Sequence, residues 1–291
     1  MAKKRLCILG SKIPEFEEKM LLKEAKGLFG ASYVRLPDVR IESRKNVRIM
    51  AGNANLLMTD AVLPRIEWQH VQYGYAILKL LENRVAIPNT PESLPIVHDK
   101  FLTLLYLHAA GIPVPETYLA STRTAVEDIL ERIQYPVIIK LLMGGEGKGV
   151  MKAESKSSAM ALIDTIERIR QPIFIEEYLE GGHEDIRAMV IGDEVVAAMK
   201  RIAPTGDFRA NISGGGHGEK IDLDSRMTNL ALKAARAIGI EITGVDIIET
   251  NRGPKIVEVN YKPQFSGLMK ATGVNVARLM VEYMYKKVRD L

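Results

Sequence analysis

The chain has 291 residues, of which 47% are hydrophobic and 6% aromatic, enough to fill two or three linked cores. Its 40 basic and 36 acidic residues leave a net charge of +4, a mild excess that favours anionic ligands; no zinc-finger spacing, aromatic platform or basic helical stripe points to nucleic acid. No run approaches the ~18 apolar residues of a membrane span. The opening MAKKRLCILG leads straight into a strand, and the single Cys7 excludes an internal disulfide, so a cytoplasmic protein is expected.

Residues 1–90 alternate as a small α/β lobe: strand Arg5–Leu9, a helix over about Pro14–Phe29, strand Tyr33–Leu36, and the apolar runs Leu56–Thr59 and Ala61–Leu63. A helix through Tyr73–Glu82 and strand Val85–Ile87 complete it. The alternation implies a mainly parallel sheet with ligands at the carboxyl ends of its strands. Arg65 follows such an end, so it either meets an anionic substrate or caps a surface loop. No G-x-G-x-x-G follows the first strand, so this lobe is not read as the nucleotide site. Cys7, inside the apolar run Leu6–Leu9, reads as core.

The stretch Ile87–Pro95 holds three prolines and reads as a connection between lobes. The helix His98–Ala110 stops at Gly111, with Pro113 and Pro115 beyond. Strand Val137–Lys140 feeds a loop through Gly144, Gly145, Gly147 and Gly149, whose backbone N–H groups could cradle phosphate oxygens beside the charge of Lys140. A merely flexible hairpin is the alternative. The loop is no Walker A motif, because Gly149 follows Lys148 where Ser or Thr is needed. After a helix around Ala159–Arg170, the strand Pro172–Leu179 ends in acids and glycines, a pattern suited to an adenine-ribose station. A hairpin about Gly192-Asp193 joins Ile186–Ile191 to Glu194–Arg201 and carries Arg187 and Arg201. Helix Met227–Ile238 and a last helix over Asn275–Val288 flank a second hairpin.

That second hairpin runs from Ile242 to Glu249, turns at Asn251-Arg252-Gly253-Pro254, and returns over Lys255–Val259. Side chains two apart on a strand share a face, so Glu258 and Asn260 point the same way and Asp246 can join them from the neighbouring strand. Two carboxylates and an amide oxygen suit a hard cation such as Mg²⁺, which completes its octahedron with water and phosphate oxygens. An ordinary hairpin with solvated acids would carry the same residues.

Several ordered segments together resemble the ATP-grasp superfamily, and within it the RimK-like carboxylate–amine ligases. They are Asp60-Ala61-Val62-Leu63-Pro64-Arg65-Ile66, Tyr73-Gly74, Asp185-Ile186-Arg187, Val195–Arg201, Gly206–Asn211, Gly244-Val245-Asp246 and Val257-Glu258-Val259-Asn260. The resemblance implies an α/β and α+β architecture: an ATP-grasp fold with an N-terminal parallel-sheet lobe (1–95), a central subdomain with the glycine-rich loop (96–180) and a C-terminal subdomain with the metal site (181–291). It implies that Lys100, Lys140 and the loop glycines Gly145 and Gly147 contact the phosphates of ATP, that Glu177 and Tyr178 frame the adenine, and that Asp185 takes the ribose. Arg209, Ala210 and Asn211 would reach the phosphates or the intermediate. Asp246, Glu258 and Asn260 would hold two Mg²⁺ ions, with Mn²⁺ able to substitute, and Arg187, Arg201 and Arg209 would stabilise an acyl-phosphate. Arg65 and Lys262 would face the substrate.

The implied reaction joins a carboxylate acceptor to the amino group of an amino acid, first of all L-glutamate, with release of ADP and phosphate. The acceptor would be a protein tail or a cofactor such as a pterin or deazaflavin, and the protein a homodimer or homotetramer. A non-catalytic ATP-binding regulator is the rival class, although every metal ligand and phosphate lysine is present; ATP-dependent transfer to a hydroxyl is another. The family commonly continues after Asn260 with small residues and Pro-Gly, whereas here Tyr261-Lys262-Pro263-Gln264-Phe265-Ser266-Gly267 follows. That change either tunes substrate choice or is a neutral loop variant.

Overall fold

The computed structural model describes residues 3–142, 149–168, 170–181, 183–204 and 217–289. The first part comprises β1 (Lys4–Gly10), α1 (Phe16–Ala25), β2 (Phe29–Arg35), β3 (Val39–Ser43), β4 (Val47–Ala51), β5 (Ala54–Asn55), β6 (Ala61–Arg65) and α2 (Val71–Leu81). β1 lies between β2 and β6, parallel to both, and its residues Leu6–Leu9 are buried as a near-continuous apolar run, as a strand covered on both faces requires. The register sets Gly10 opposite both Arg35 and Arg65, so Arg65 reaches the carboxyl edge of this sheet.

Two details depart from the sequence-based reading of this part. The helix expected to run to Phe29 ends at Ala25, because Phe29 is buried as the first residue of β2. Val85–Ile87 contributes one bridge, Ala61 to Ala86, instead of a strand. The antiparallel set β3-β4-β5 was not expected; Arg40, Glu42 and Arg48 mask its short apolar alternation.

The middle part comprises α3 (Ser93–His98), α4 (Lys100–Ala109), β7 (Thr117–Ala120), α5 (Arg123–Leu130), β8 (Val137–Lys140), β9 (Val150–Ala153), α6 (Lys156–Glu167) and β10 (Ile173–Glu177). The four strands form an antiparallel sheet in the order β7-β10-β8-β9, and α5 and α6 cover it through Val126, Leu130, Ile163 and Ile166. The single helix expected over His98–Ala110 is divided at Asp99. This residue leaves helical geometry and caps α4, its carboxylate accepting from the backbone N–H groups of Phe101 and Leu102 at 3.0 Å each.

The last part comprises β11 (Glu184–Ile191), β12 (Glu194–Ile202), β13 (His217–Lys220), α7 (Ser225–Ile238), β14 (Ile242–Thr250), β15 (Gly253–Asn260), α8 (Ser266–Thr272) and α9 (Val276–Arg289). Its five strands form one antiparallel sheet in the order β13-β12-β11-β14-β15. α7 closes at Gly239, whose φ of 77° is the left-handed stop that glycine supplies. Two buried clusters tie this sheet to the first part: Leu9, Val62 and Leu78 share a core with Val245, Ile247 and Val259, while Leu6, Ile8 and Phe29 share one with Ile242, Met280 and Val281. Residues of the middle sheet fill a third cluster of their own. No helix among the described residues is long and apolar enough to cross a membrane.

The cap at Asp99 also fixes where Lys100 starts. Asp99→Ala removes the acceptor for two N–H groups and is expected to cost about 1 kcal/mol, seen as a lower urea midpoint with an unchanged slope.

Candidate active site

β11, β12, β14 and β15 bring the central charged residues together. Register pairs Asp246 with Glu258 and Gly244 with Asn260, so the three expected metal ligands occupy one face of two adjacent strands. The amide nitrogen of Asn260 donates to the Gly244 carbonyl at 3.1 Å and lies 3.4 Å from Asp246 Oδ2. On the other side of β14, register pairs Arg187 with Asp246, and across β11 it pairs Asp185 with Arg201. Arg187 donates through Nε and Nη2 to the two oxygens of Asp246, the second bond measuring 2.8 Å. Arg201 bridges the two acids, with Nη2 2.9 Å from Asp246 Oδ2 and 2.7 Å from Asp185 Oδ2.

Asp246 is 2% exposed, and burial opposes its ionisation, but the guanidiniums of Arg187 and Arg201 hold its carboxyl below the usual carboxylate range. A β-carbon at Gly244 would meet Arg187 Cδ at 2.9 Å, so only glycine there lets the arginine lie across β14.

Two oxygen-bearing acids and an amide at this register fit a hard divalent cation in donor type, since such an ion needs few protein ligands and draws the rest from water and phosphate. No group of three or more His, Cys, Asp or Glu placed to hold a metal occurs among the described residues. The third donor of this set is the Asn260 amide.

The expected phosphate lysines face the same region from the middle part. Lys140, at the end of β8, pairs with Glu176 of β10 at 2.6 Å, and Lys100, at the start of α4, donates to the Leu141 carbonyl at 3.4 Å. Burial lowers the Lys100 pKa, the carboxylate of Glu258 favours its charged form, and Lys140 disfavours it, which places all three in one electrostatic neighbourhood. Burial likewise raises the carboxyl of Glu176 against the pull of Lys140, and its Oε2 has no hydrogen-bond partner among the described residues. The stem of the glycine-rich loop is closed by a bond from Leu141 N to Gly149 O at 3.0 Å. Glu177 accepts from Lys255 Nζ at 2.6 Å and from the Glu116 N–H at 3.1 Å, joining β10 to β15. Lys152 sits 4.2 Å over the Tyr178 ring.

Arg65 and Lys262 form a second cluster at the carboxyl edge of the parallel sheet. Arg65 is 2% exposed; Nε lies 3.3 Å from Glu18 Oε1, Nη1 donates to the Pro263 carbonyl at 3.0 Å, and the guanidinium lies over Phe265. Lys262 contacts Glu67 at 3.0 Å and Glu18 at 3.5 Å, and Glu67 also pairs with Lys12 at 3.0 Å. Within the unusual segment after Asn260, Tyr261 and Phe265 are buried core residues, so of its long side chains Lys262 joins this charged cluster. Tyr261 packs beside His98, whose pKa burial lowers to about 4.

The structure thus gathers Lys100, Lys140, Asp185, Arg187, Arg201, Asp246, Glu258 and Asn260 in one region, with Glu177 and Tyr178 at its β10 border and Arg65 and Lys262 in the adjoining cluster. Gly145, Gly147, Arg209, Ala210 and Asn211 lie outside the described residues. Glu176, Glu18, Glu67 and Lys12 are not among the residues expected from the sequence. The signal for Glu176 was an acid inside the apolar run IFIEEYL, whereas the other three are marked only by their three-dimensional partners. Asp246→Asn leaves two buried guanidiniums without their shared charge and is expected to destabilise the fold by roughly 3–5 kcal/mol, measured by denaturant unfolding.

A RimK-like ATP-grasp domain is matched over residues 97–284. Over 244 residues the chain is 38% identical to a "Probable alpha-L-glutamate ligase" of Legionella pneumophila (strain Corby), covering 82% of this chain and 80% of that protein. In fold it is similar to a RimK domain ATP-grasp protein from Sphaerobacter thermophilus, with a TM-score of 0.74 at 22% identity over 96% of this chain and 98% of that one. It is also similar to the ATP-grasp ligase PsnB, solved with a minimal precursor, Mg and ADP, at a TM-score of 0.74 and 19% identity, covering 98% of each chain. The arrangement of sheets and the extent of these matches agree, and the chain belongs to the RimK-like ATP-grasp family of ATP-dependent, C–N bond-forming ligases.

Proposed function

We propose that the protein joins a carboxylate acceptor to the amino group of L-glutamate through an acyl-phosphate, releasing ADP and phosphate. The observation that supports this reading is the register that sets Asp246, Glu258 and Asn260 on one face of β14 and β15, with α4, which begins at Lys100, packed against β15. The acceptor would be a protein tail or a small acidic cofactor. The segments 1–95, 96–180 and 181–291 would act as three lobes, with nucleotide held between the second and third.

A carboxylate is a poor electrophile, so its oxygen must first take the γ-phosphoryl group of ATP before an amine can displace phosphate. Such a reaction asks the protein for positioning and charge more than for covalent help. Lys100 and Lys140 would anchor phosphate oxygens, joined by Gly145 and Gly147 from the loop and by Arg209, Ala210 and Asn211. Glu177 and Tyr178 would frame the adenine. Asp185, already held by Arg201, would offer its remaining lone pairs to the ribose. Asp246, Glu258 and Asn260 would hold two Mg²⁺ or Mn²⁺ ions, which when bound would neutralise phosphate charge.

Arg187 and Arg201 are fixed by carboxylates before any substrate arrives, so their charge needs no reorganisation as negative charge moves onto the acyl-phosphate. The glycine-rich loop would keep water from the acyl-phosphate.

The test is ADP and phosphate release with Mg²⁺, L-glutamate and a panel of carboxylate acceptors, with the product mass determined. One glutamyl unit gained per ADP is expected. Glu258→Gln should lower turnover by at least about a hundredfold, the scale of losing one electrostatic contact to the transition state, while the unfolding midpoint stays near wild type. Near-normal turnover in that variant would remove the metal assignment.

A further inference from the structure

Glu67 stands between two ammonium groups, its Oε2 3.0 Å from Lys12 and its Oε1 3.0 Å from Lys262. Its backbone is anchored independently: the Glu67 N–H donates to Ser11 Oγ at 2.8 Å, and although Glu67 begins the turn Trp68–His70, its side chain makes no capping bond. The carboxylate is therefore not needed to hold its own segment. Its neighbour Glu18 differs, being 2% exposed and committed to the equally buried Arg65.

Lys12 is half exposed, with 55% of its side chain open to solvent, and Glu67 and Lys262 retain 17% and 16%. The group lies just past the carboxyl end of β1, the edge at which a parallel sheet presents ligands. Lys262 follows two residues after Asn260, so the same strand end carries a metal ligand and one arm of this pair.

The geometry points to a carboxylate clamp made by Lys12 and Lys262, in which Glu67 occupies the place of a substrate carboxylate that does not react. The inference rests on the ligase reading and extends it to recognition. The occupant is a carboxylate of a dicarboxylic substrate: either the side-chain carboxylate of the amino-acid donor or a second carboxylate on the acceptor. An entering carboxylate releases Glu67 to solvent and keeps both ammonium contacts, so the exchange conserves charge at the two lysines. A neutral amide in the same place would give up the charge-assisted contact to each ammonium group, although Lys262 keeps Glu18 at 3.5 Å, which makes the clamp a discriminator between acid and amide.

The test measures KM for the amino-acid donor, the acceptor and ATP in the intact wild-type protein, Glu67→Gln and Lys12→Ala. For one of the two carboxylate substrates, Glu67→Gln should lower KM about threefold or more, because the competing charge is gone, and Lys12→Ala should raise it about tenfold, one charge-assisted contact. KM for ATP should stay within about twofold in both, which a general loss of structure would not allow. Movement of the donor value assigns the clamp to the amino acid, and movement of the acceptor value assigns it to the acceptor. In the same assays L-glutamine replaces L-glutamate, and the acceptor's amide its acid; discrimination should fall in Lys12→Ala. Turnover with any other pattern, including a raised KM in both variants, overturns the clamp while leaving the ligase reading intact. Failure of the wild-type protein to cleave ATP with every pair overturns both.

Discussion

The site depends on one buried carboxylate, Asp246, held by two guanidiniums on neighbouring strands. Charges this deep are tolerated only in company, since an unpaired ion out of water costs several kcal/mol. β14 supplies the acid, β11 supplies Arg187, and β12 supplies Arg201, which reaches past β11 to touch both Asp246 and Asp185. A slip of one residue between any two of these strands would turn a charge toward the apolar side of the sheet. The strand register and the charge network thus specify each other, and the chemistry inherits that rigidity.

The same economy explains how three parts of the chain would serve the proposed reaction. The five-stranded sheet fixes acids and arginines, the four-stranded sheet delivers Lys140, and α4 delivers Lys100 from a start set by Asp99. Lys255 of β15 reaches Glu177 of β10, so the two sheets are joined beside the expected adenine position. Arg65 couples the parallel sheet to the loop after β15 through the Pro263 carbonyl. Each connection is a charged or hydrogen-bonded link across a boundary between sheets, where apolar packing alone would allow sliding.

How much of this was legible in the sequence follows from range. The hairpin carrying Asp246, Glu258 and Asn260 could be read locally, because an alternation of period two and an Asn-Arg-Gly-Pro turn set the facing residues. The βαβ character of the first part, and with it the place of Arg65, followed from the same kind of pattern. The contacts of Arg187 and Arg201 with Asp246 could not be read, since nothing local says that β11 lies between β12 and β14. Glu176 was hidden in an apolar run, and α8 and the β3-β4-β5 set were too short or too charged to give a period. Arg65 was placed correctly at a strand end, yet its burial against Glu18, Pro263 and Phe265 depends on contacts distant in sequence.

In the proposed reaction the acceptor carboxylate is activated as an acyl-phosphate before the amine attacks. This activation is tested most directly by labelling both oxygens of that carboxylate with heavy oxygen and analysing the phosphate released by the wild-type protein with ATP, Mg²⁺ and L-glutamate. One labelled oxygen is expected to pass to inorganic phosphate for each amide formed, because the carboxylate oxygen that attacks phosphorus leaves with it. Amide formation with unlabelled phosphate would contradict it.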